Sequence, residues 1–263
     1  MMRKSNYDKK PSTYIEGKIW KGWSQVLGKM KELCLPEKKK TVMVVECYQG
    51  VYKQEVFSYL KELPAAWLVD TGSLFKSPEE IERMTAPYMT DDVLFGYCSH
   101  FSYADFLDMN KVEAYQKQVE NAKGLIVLCG HGAAYILDSP DILVYADMAR
   151  WEIQQRFRRK EVNGLGVEDR CAVPSIHYKR GYFIDWIVCD NQKKQLLEKV
   201  DYWLDTHIKE VPKMIEGVTW KAGLEKTAHK PFRVVPFFDP APWGGQWMKE
   251  VCGLNPEKEN YGW

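Results

Sequence analysis

The chain has 263 residues, and its 37 Lys plus Arg nearly balance 36 Asp plus Glu, for a formal net charge of +1. That balance argues against a general nucleic-acid or membrane-surface binder. A composition 45% hydrophobic and 28% charged excludes a wholly disordered chain.

Residues 1–18 form a polar arm without the apolar stretch of a signal peptide. The longest apolar runs, 42–45 and 125–129, fall far short of a membrane span. The seven cysteines are scattered with no C-x-x-C pair, which suits reduced, packed thiols. The expectation is a cytoplasmic protein that engages neither nucleic acid nor membrane.

In residues 20–33, Trp20, Trp23, Val26, Leu27, Met30 and Leu33 recur at spacings of three and four, which predicts an amphipathic helix. Residues 1–40 therefore read as an arm plus a helix. Residues 41–45 read as a buried strand, 47–52 as a turn, and 53–63 as a helix ended by Pro64. Residues 66–69 are the next strand, closed by Asp70 and Gly72. Ser77-Pro78-Glu79-Glu80 opens a helix: a Ser cap, Pro in the first turn, then acids at the positive end of the dipole. Residues 111–122 read as a helix, 124–129 as a strand covered on both faces, and 142–145 as a strand ending at Asp147. An arginine-rich helix over 148–162, a fifth strand over 182–188 and a helix over 192–206 follow. Around 209–230 the strand signal stops. The expected fold is α/β, a mainly parallel sheet of about five strands with helices on both faces, spanning 41–230. Ligands of such sheets sit at the carboxyl ends of the strands.

The segment Glu46 to Gln54 follows the first core strand and opens a helix, which is where a phosphate-binding P-loop belongs. The motif G-x-x-x-x-G-K-[ST] uses glycines to wrap backbone N–H groups around phosphates, Lys to reach the terminal phosphates and Ser or Thr to hold magnesium. Registered on Lys53, Cys47 replaces the first Gly, Tyr52 the second and Gln54 the Ser/Thr. Lys53 survives, with Gly50 at a middle position. The topology resembles small P-loop kinases of nucleosides and nucleotides in degenerate form. That resemblance implies a nucleotide held by Lys53 and Gly50, with Arg150, Arg156, Arg158 and Arg159 as lid candidates. Helix geometry divides these arginines: Arg150 and Arg158 lie within about 80° of each other, Arg156 and Arg159 within about 60°, and the two pairs diverge. The alternative is a loop without ligand, Lys53 on the surface, and an arginine helix ion-paired with Glu152 and Glu161.

His131, between Gly130 and Gly132 after a core strand, is a rim candidate or a simple turn residue. Asp70 and Asp147 can line the same rim or serve as caps. His100, His177, His207 and His229 are isolated in sequence, so no metal motif is readable.

After Pro231 the character changes, with Pro236, Pro240, Pro242, Gly244 and Gly245 close together. Pro242-Trp243-Gly244-Gly245, then Trp247 and Leu254, resembles the opening turn of the cupin barrel in type I mannose-6-phosphate isomerases. The blocks VVECYQGVYKQEV, ILVYADMARWEIQQRFRR, YKRGYFIDW and FRVVPFFDPAPWGGQWMKEVCGL resemble a longer bacterial branch of that family, in which a P-loop-like domain precedes the barrel. The resemblance implies that 231–263 begins an isomerase domain. The full-length protein would then interconvert mannose 6-phosphate and fructose 6-phosphate with one zinc ion. The family's zinc ligands lie beyond the opening turn, so no catalytic or metal residue carries over, and the chain as given is expected to lack isomerase activity. Two further readings stay open: a divergent nucleotide-binding kinase-like domain, and a non-catalytic binding or oligomerisation module to which ten Trp lend apolar area.

Overall fold

The computed structural model describes residues 12–34, 38–230 and 250–253. The elements run β1 (Ile19–Lys21), α1 (Gly22–Leu33), β2 (Lys40–Cys47), α2 (Lys53–Leu60), β3 (Ala65–Asp70), α3 (Pro78–Met89), α4 (Tyr103–Phe106), α5 (Met109–Asn121), β4 (Gly124–Gly130), α6 (Ala133–Ile136), β5 (Ile142–Asp147), α7 (Arg150–Arg158), α8 (Pro174–Arg180), α9 (Trp186–Leu196), β6 (Tyr202–Asp205), β7 (Lys213–Glu216) and α10 (Gly217–Ala228). A π-helical turn, Gly181–Asp185, joins α8 to α9.

The sheet has seven strands in the order β1-β7-β6-β5-β2-β4-β3. Strands β3, β4, β2, β5 and β6 pair in parallel. β7 is antiparallel to both β6 and β1. In β2 every residue from Thr41 to Cys47 is buried, so both faces of the central strand are covered. From β2 the chain travels to β3 at one edge, returns to β4, then passes over β2 to β5. The direction of winding thus switches beside β2, and a crevice opens there at the carboxyl ends of the strands.

The fold class stands, but the strand count is seven rather than about five. The expected strand over 182–188 is helical: Gly181–Asp185 and α9 bury Ile184, Trp186, Val188 and Cys189. A short apolar run fits a buried helix as well as a strand, and periodicity alone does not separate them. The helix expected over 192–206 stops at Leu196, and its end is β6. β7 falls within 209–230, where no strand was legible; four residues are too few to show a period. α7 is shorter than the expected 148–162. α1 forms as its apolar spacing predicts and buries Trp23, Val26, Leu27 and Met30. Trp20, expected on that helix, stands instead in β1, where it pairs with Met214.

The chain divides into two units, 16–221 and a second made of 1–15 with 222–263. The sheet and the cleft described below belong to the first. In the second, Thr13 Oγ1 and Thr227 Oγ1 share a hydrogen bond of 2.9 Å. Residues 231–249 and 254–263, which carry the aromatic-Gly-Gly turn, lie outside the described residues. No described helix is long and apolar enough to cross a membrane.

Candidate functional site

The loop between β2 and α2 is pinned from both sides. The Tyr48 N–H donates to the Ala146 carbonyl of β5 at 2.9 Å. Gly50 has φ +96, and a Cβ there would stand 2.9 Å from Ile153 Cγ2 on α7. Both the backbone angle and the close helix require glycine. Arg156, fully buried, donates through Nη1 to the Gly50 carbonyl (2.8 Å) and through Nη2 to the Thr206 carbonyl (2.7 Å). Lys53 then occupies the first position of α2; its N–H donates to the Val51 carbonyl (2.7 Å) and the Glu55 N–H to the Tyr52 carbonyl (2.9 Å), which leaves the Gln54 N–H without an acceptor among the described residues. Its Nζ pairs with Asp70 Oδ1 at 2.7 Å, at the end of β3, and the same oxygen accepts the Gly72 N–H at 2.7 Å.

Beside this pair the chain of β4 turns away. Gly130 has φ +134, and a Cβ there would sit 2.1 Å from Thr71 Oγ1 and 3.3 Å from Lys53 Cδ. Thr71 Oγ1 is buried and has no hydrogen-bond partner among the described residues. His131 Nδ1 lies 2.8 Å from the Cys47 carbonyl. A carbonyl only accepts, so we assign the proton to Nδ1, which leaves Nε2 with a lone pair. Burial of the ring, and then the Lys53 charge, holds its pKa down to about 4, so His131 is neutral near pH 7.

Glu46, one residue before the end of β2, is wholly buried. Its carboxylate accepts the N–H groups of Gly132 and Ala134, each at 2.8 Å. Turning the Gln192 amide over lets its NH2 donate to Glu46 Oε1 at 3.1 Å. Burial pushes the Glu46 pKa up to about 8, against the pull of the backbone N–H groups. Glu46 thereby braces the turn that carries His131.

His131 lines a cleft of about 410 Å³, together with Gly50, Tyr52, Lys53, Thr71, Gly72, Lys76 and the segment 161–168 without residue 165. The far wall is held from below. The Leu165 N–H donates to Asp185 Oδ2 (3.0 Å) and the Gly164 N–H to Asp169 Oδ1 (2.7 Å). Arg180 reaches the Leu165 carbonyl and Thr85 Oγ1. Burial raises the Asp185 pKa to about 6, opposed by the Arg180 charge.

Of the residues singled out in the sequence, Gly50, Lys53 and His131 line this cleft and Asp70 holds Lys53. The four arginines do not line it. Arg150 binds Tyr48 and Asp190 and covers Trp186, Arg158 lies over Trp151, and Arg159 pairs with Glu152 and Glu161. Asp147 is paired with Lys193. Thr71, Lys76 and Glu168 were not readable as site residues, because strand and loop order bring them in. Glu46 did carry a signal: an acid inside an apolar strand. Among the described residues no three His, Cys, Asp or Glu side chains come together as a metal site.

Over residues 22–229 the chain matches the family described as "Domain of unknown function (DUF8485)". No curated protein matches it. Among solved structures, one from Silicibacter sp. TM1040, labelled a fructose transport system kinase, has a TM-score of 0.43 and 11% identity. The alignment covers 65% of this chain and 94% of that one.

Proposed function

We propose, for a chain that belongs to the family described as a domain of unknown function (DUF8485), that the cleft beside β2 binds a phosphate-bearing small molecule. The observation that carries this reading is the convergence of Lys53 Nζ, the amino-terminal end of α2, where the Gln54 N–H has no acceptor among the described residues, and the unpartnered Thr71 Oγ1 on one cleft at the sheet's switch in winding. An ammonium, a helix N–H and a hydroxyl are what a phosphate oxygen accepts from. A nucleotide's phosphates occupy this place in P-loop kinases, which the sequence resembles. Tyr52 and Gln54 stand where that motif has Gly and Ser or Thr, so we assign binding here and no phosphoryl transfer.

The ligand must share Lys53 with Asp70. Isothermal titration with ATP and magnesium, inorganic phosphate and ribose 5-phosphate tests the reading. At least one is expected to bind, and Lys53→Ala to weaken it by about tenfold or more, the worth of a charged hydrogen bond. Silence of all three at millimolar concentration refutes it.

A second reading, the amino-terminal part of a mannose-6-phosphate isomerase-like protein, rests on Pro242-Trp243-Gly244-Gly245 and the blocks around it. The described residues do not fit the zinc site that family uses, and no step is derived through it. Fructose 6-phosphate formation from mannose 6-phosphate, assayed with added zinc, is expected to be absent for this chain.

A further inference from the structure

The charges of the cleft narrow its ligand. Two ammonium groups, Lys53 and Lys76, face three carboxyl-bearing neighbours, Asp70, Glu161 and Glu168. Asp70 already uses Lys53, and Arg159 already uses Glu161. Lys76 donates only to the Asp105 carbonyl at 2.6 Å, so its charge is unpaired by any acid among the described residues. No arginine among the described residues lines the cleft to neutralise more anion. With Asp70 opposing Lys53 and Glu168 opposing Lys76, the lining carries no surplus positive charge, so a triphosphate is opposed more strongly than a single phosphate. At about 410 Å³ the cleft also lies near the small end of the range for ligand pockets, roughly 300 to 1,000 Å³.

The same cleft offers two acceptors that no protein group uses. His131 Nε2 carries a lone pair, because Nδ1 gives its proton to the Cys47 carbonyl. Glu168 lines the opposite wall and has no hydrogen bond or ion pair among the described residues. Neither can take a phosphate oxygen, since both accept and a phosphate dianion only accepts. They call for donors, and on a phosphate ester the donors are hydroxyl groups.

We infer that the cleft selects a monophosphate ester of a hydroxyl-bearing molecule, its phosphate at Lys53 and Lys76 and its hydroxyl groups at His131 Nε2 and Glu168. This rests on the phosphate reading above. His131 and Glu168 are then specificity-determining residues: they decide which phosphate compound binds.

Isothermal titration with ribose 5-phosphate, glycerol 3-phosphate, inorganic phosphate and ATP tests it. The two esters are expected to bind about tenfold tighter than inorganic phosphate or ATP. Glu168→Gln, at an exposed position, is expected to erase most of that preference, and His131→Asn likewise, with a thermal melt to verify folding. ATP binding tighter than the esters, or a preference unchanged in Glu168→Gln and His131→Asn, overturns this inference while leaving the phosphate reading intact. Silence of every compound overturns both.

Discussion

Lys53 and Glu46 show how differently an ionisable group can be treated seven residues apart. Lys53 sits at the mouth of the cleft with its counter-ion beside it. Glu46 is sealed beneath, and dipoles rather than a counter-ion meet it: the Gly132 and Ala134 N–H groups and the Gln192 amide. The linkage follows from its raised pKa. The folded state holds the Glu46 proton up to about 8, and the unfolded state loses it near the ordinary 4.5. Between those values the folded form binds more protons, so stability falls as pH rises. His131 works in the opposite direction but only between about 4 and its ordinary 6.5, and Asp185 stops near 6. Among the described residues, Glu46 is the one whose shift spans pH 6.5 to 8. The melting temperature is expected to decline across that interval, and Glu46→Gln, which removes the ionisation, to flatten the decline. Equal slopes in both proteins would show that Glu46 does not control it.

Lys53, Gly50 and His131 were legible because each stands at a strand-to-helix turn, where the α/β rule places ligand groups. Their partners were not. Asp70 meets Lys53 only because β4 lies between β2 and β3 in the sheet. Arg156, a lid candidate by its place in the sequence, ties the Gly50 loop to the end of β6 through carbonyls that carry no side-chain signature.

Among the elements, α3 is the one written most openly in its residues. Ser77 Oγ accepts the Glu80 N–H at 3.3 Å, and Glu80 Oε2 accepts the Ser77 N–H at 3.0 Å, with Pro78 in the first turn. This reciprocal cap satisfies two donors that the helix cannot. Ser77→Ala is expected to cost about 1 kcal/mol. In a domain of this size that lowers the melting temperature by roughly 2–4 °C. Ser77→Asp should retain most of it; an unchanged melt in the alanine variant would show the cap to be redundant. Capped helices and fully covered strands such as β4 are the elements the sequence conveys well, because the forces that define them are local or continuous. The helical stretch 181–196 is the counter-example. Its apolar residues are compatible with either period, and packing of Ile184 and Trp186 into the core selects the helix.

At the scale of the whole molecule, the sheet is finished by its shortest strands. β1 and β7 extend the parallel core with an antiparallel ribbon, and Trp20 of β1 is only 6% exposed, edge-on to Tyr202. Trp203, on β6, stacks on Trp220 at 3.8 Å. Several of the ten Trp thus close the sheet's far side, which is the apolar-core use of these residues rather than an open interface. Trp20→Ala is expected to destabilise by about 3–5 kcal/mol, the range for an aromatic lost from a core, read by chemical denaturation. A loss under about 1 kcal/mol would mean that β1 adds little to the fold.

The sequence by itself determined the fold class, the capped helix, the central strands and the loop that carries Gly50 and Lys53. Each depends on interactions between residues close in the chain, or on apolar runs long enough to show their period. Only the tertiary structure decided that the sheet has seven strands, that Arg156 braces the loop and none of the four arginines lines the cleft, and that Lys53, Asp70, Thr71, His131 and Glu168 share one site. The physical reason is the winding order. The order of strands sets which loops meet at the sheet's carboxyl edge, and no local pattern of residues encodes which distant loop will be the neighbour.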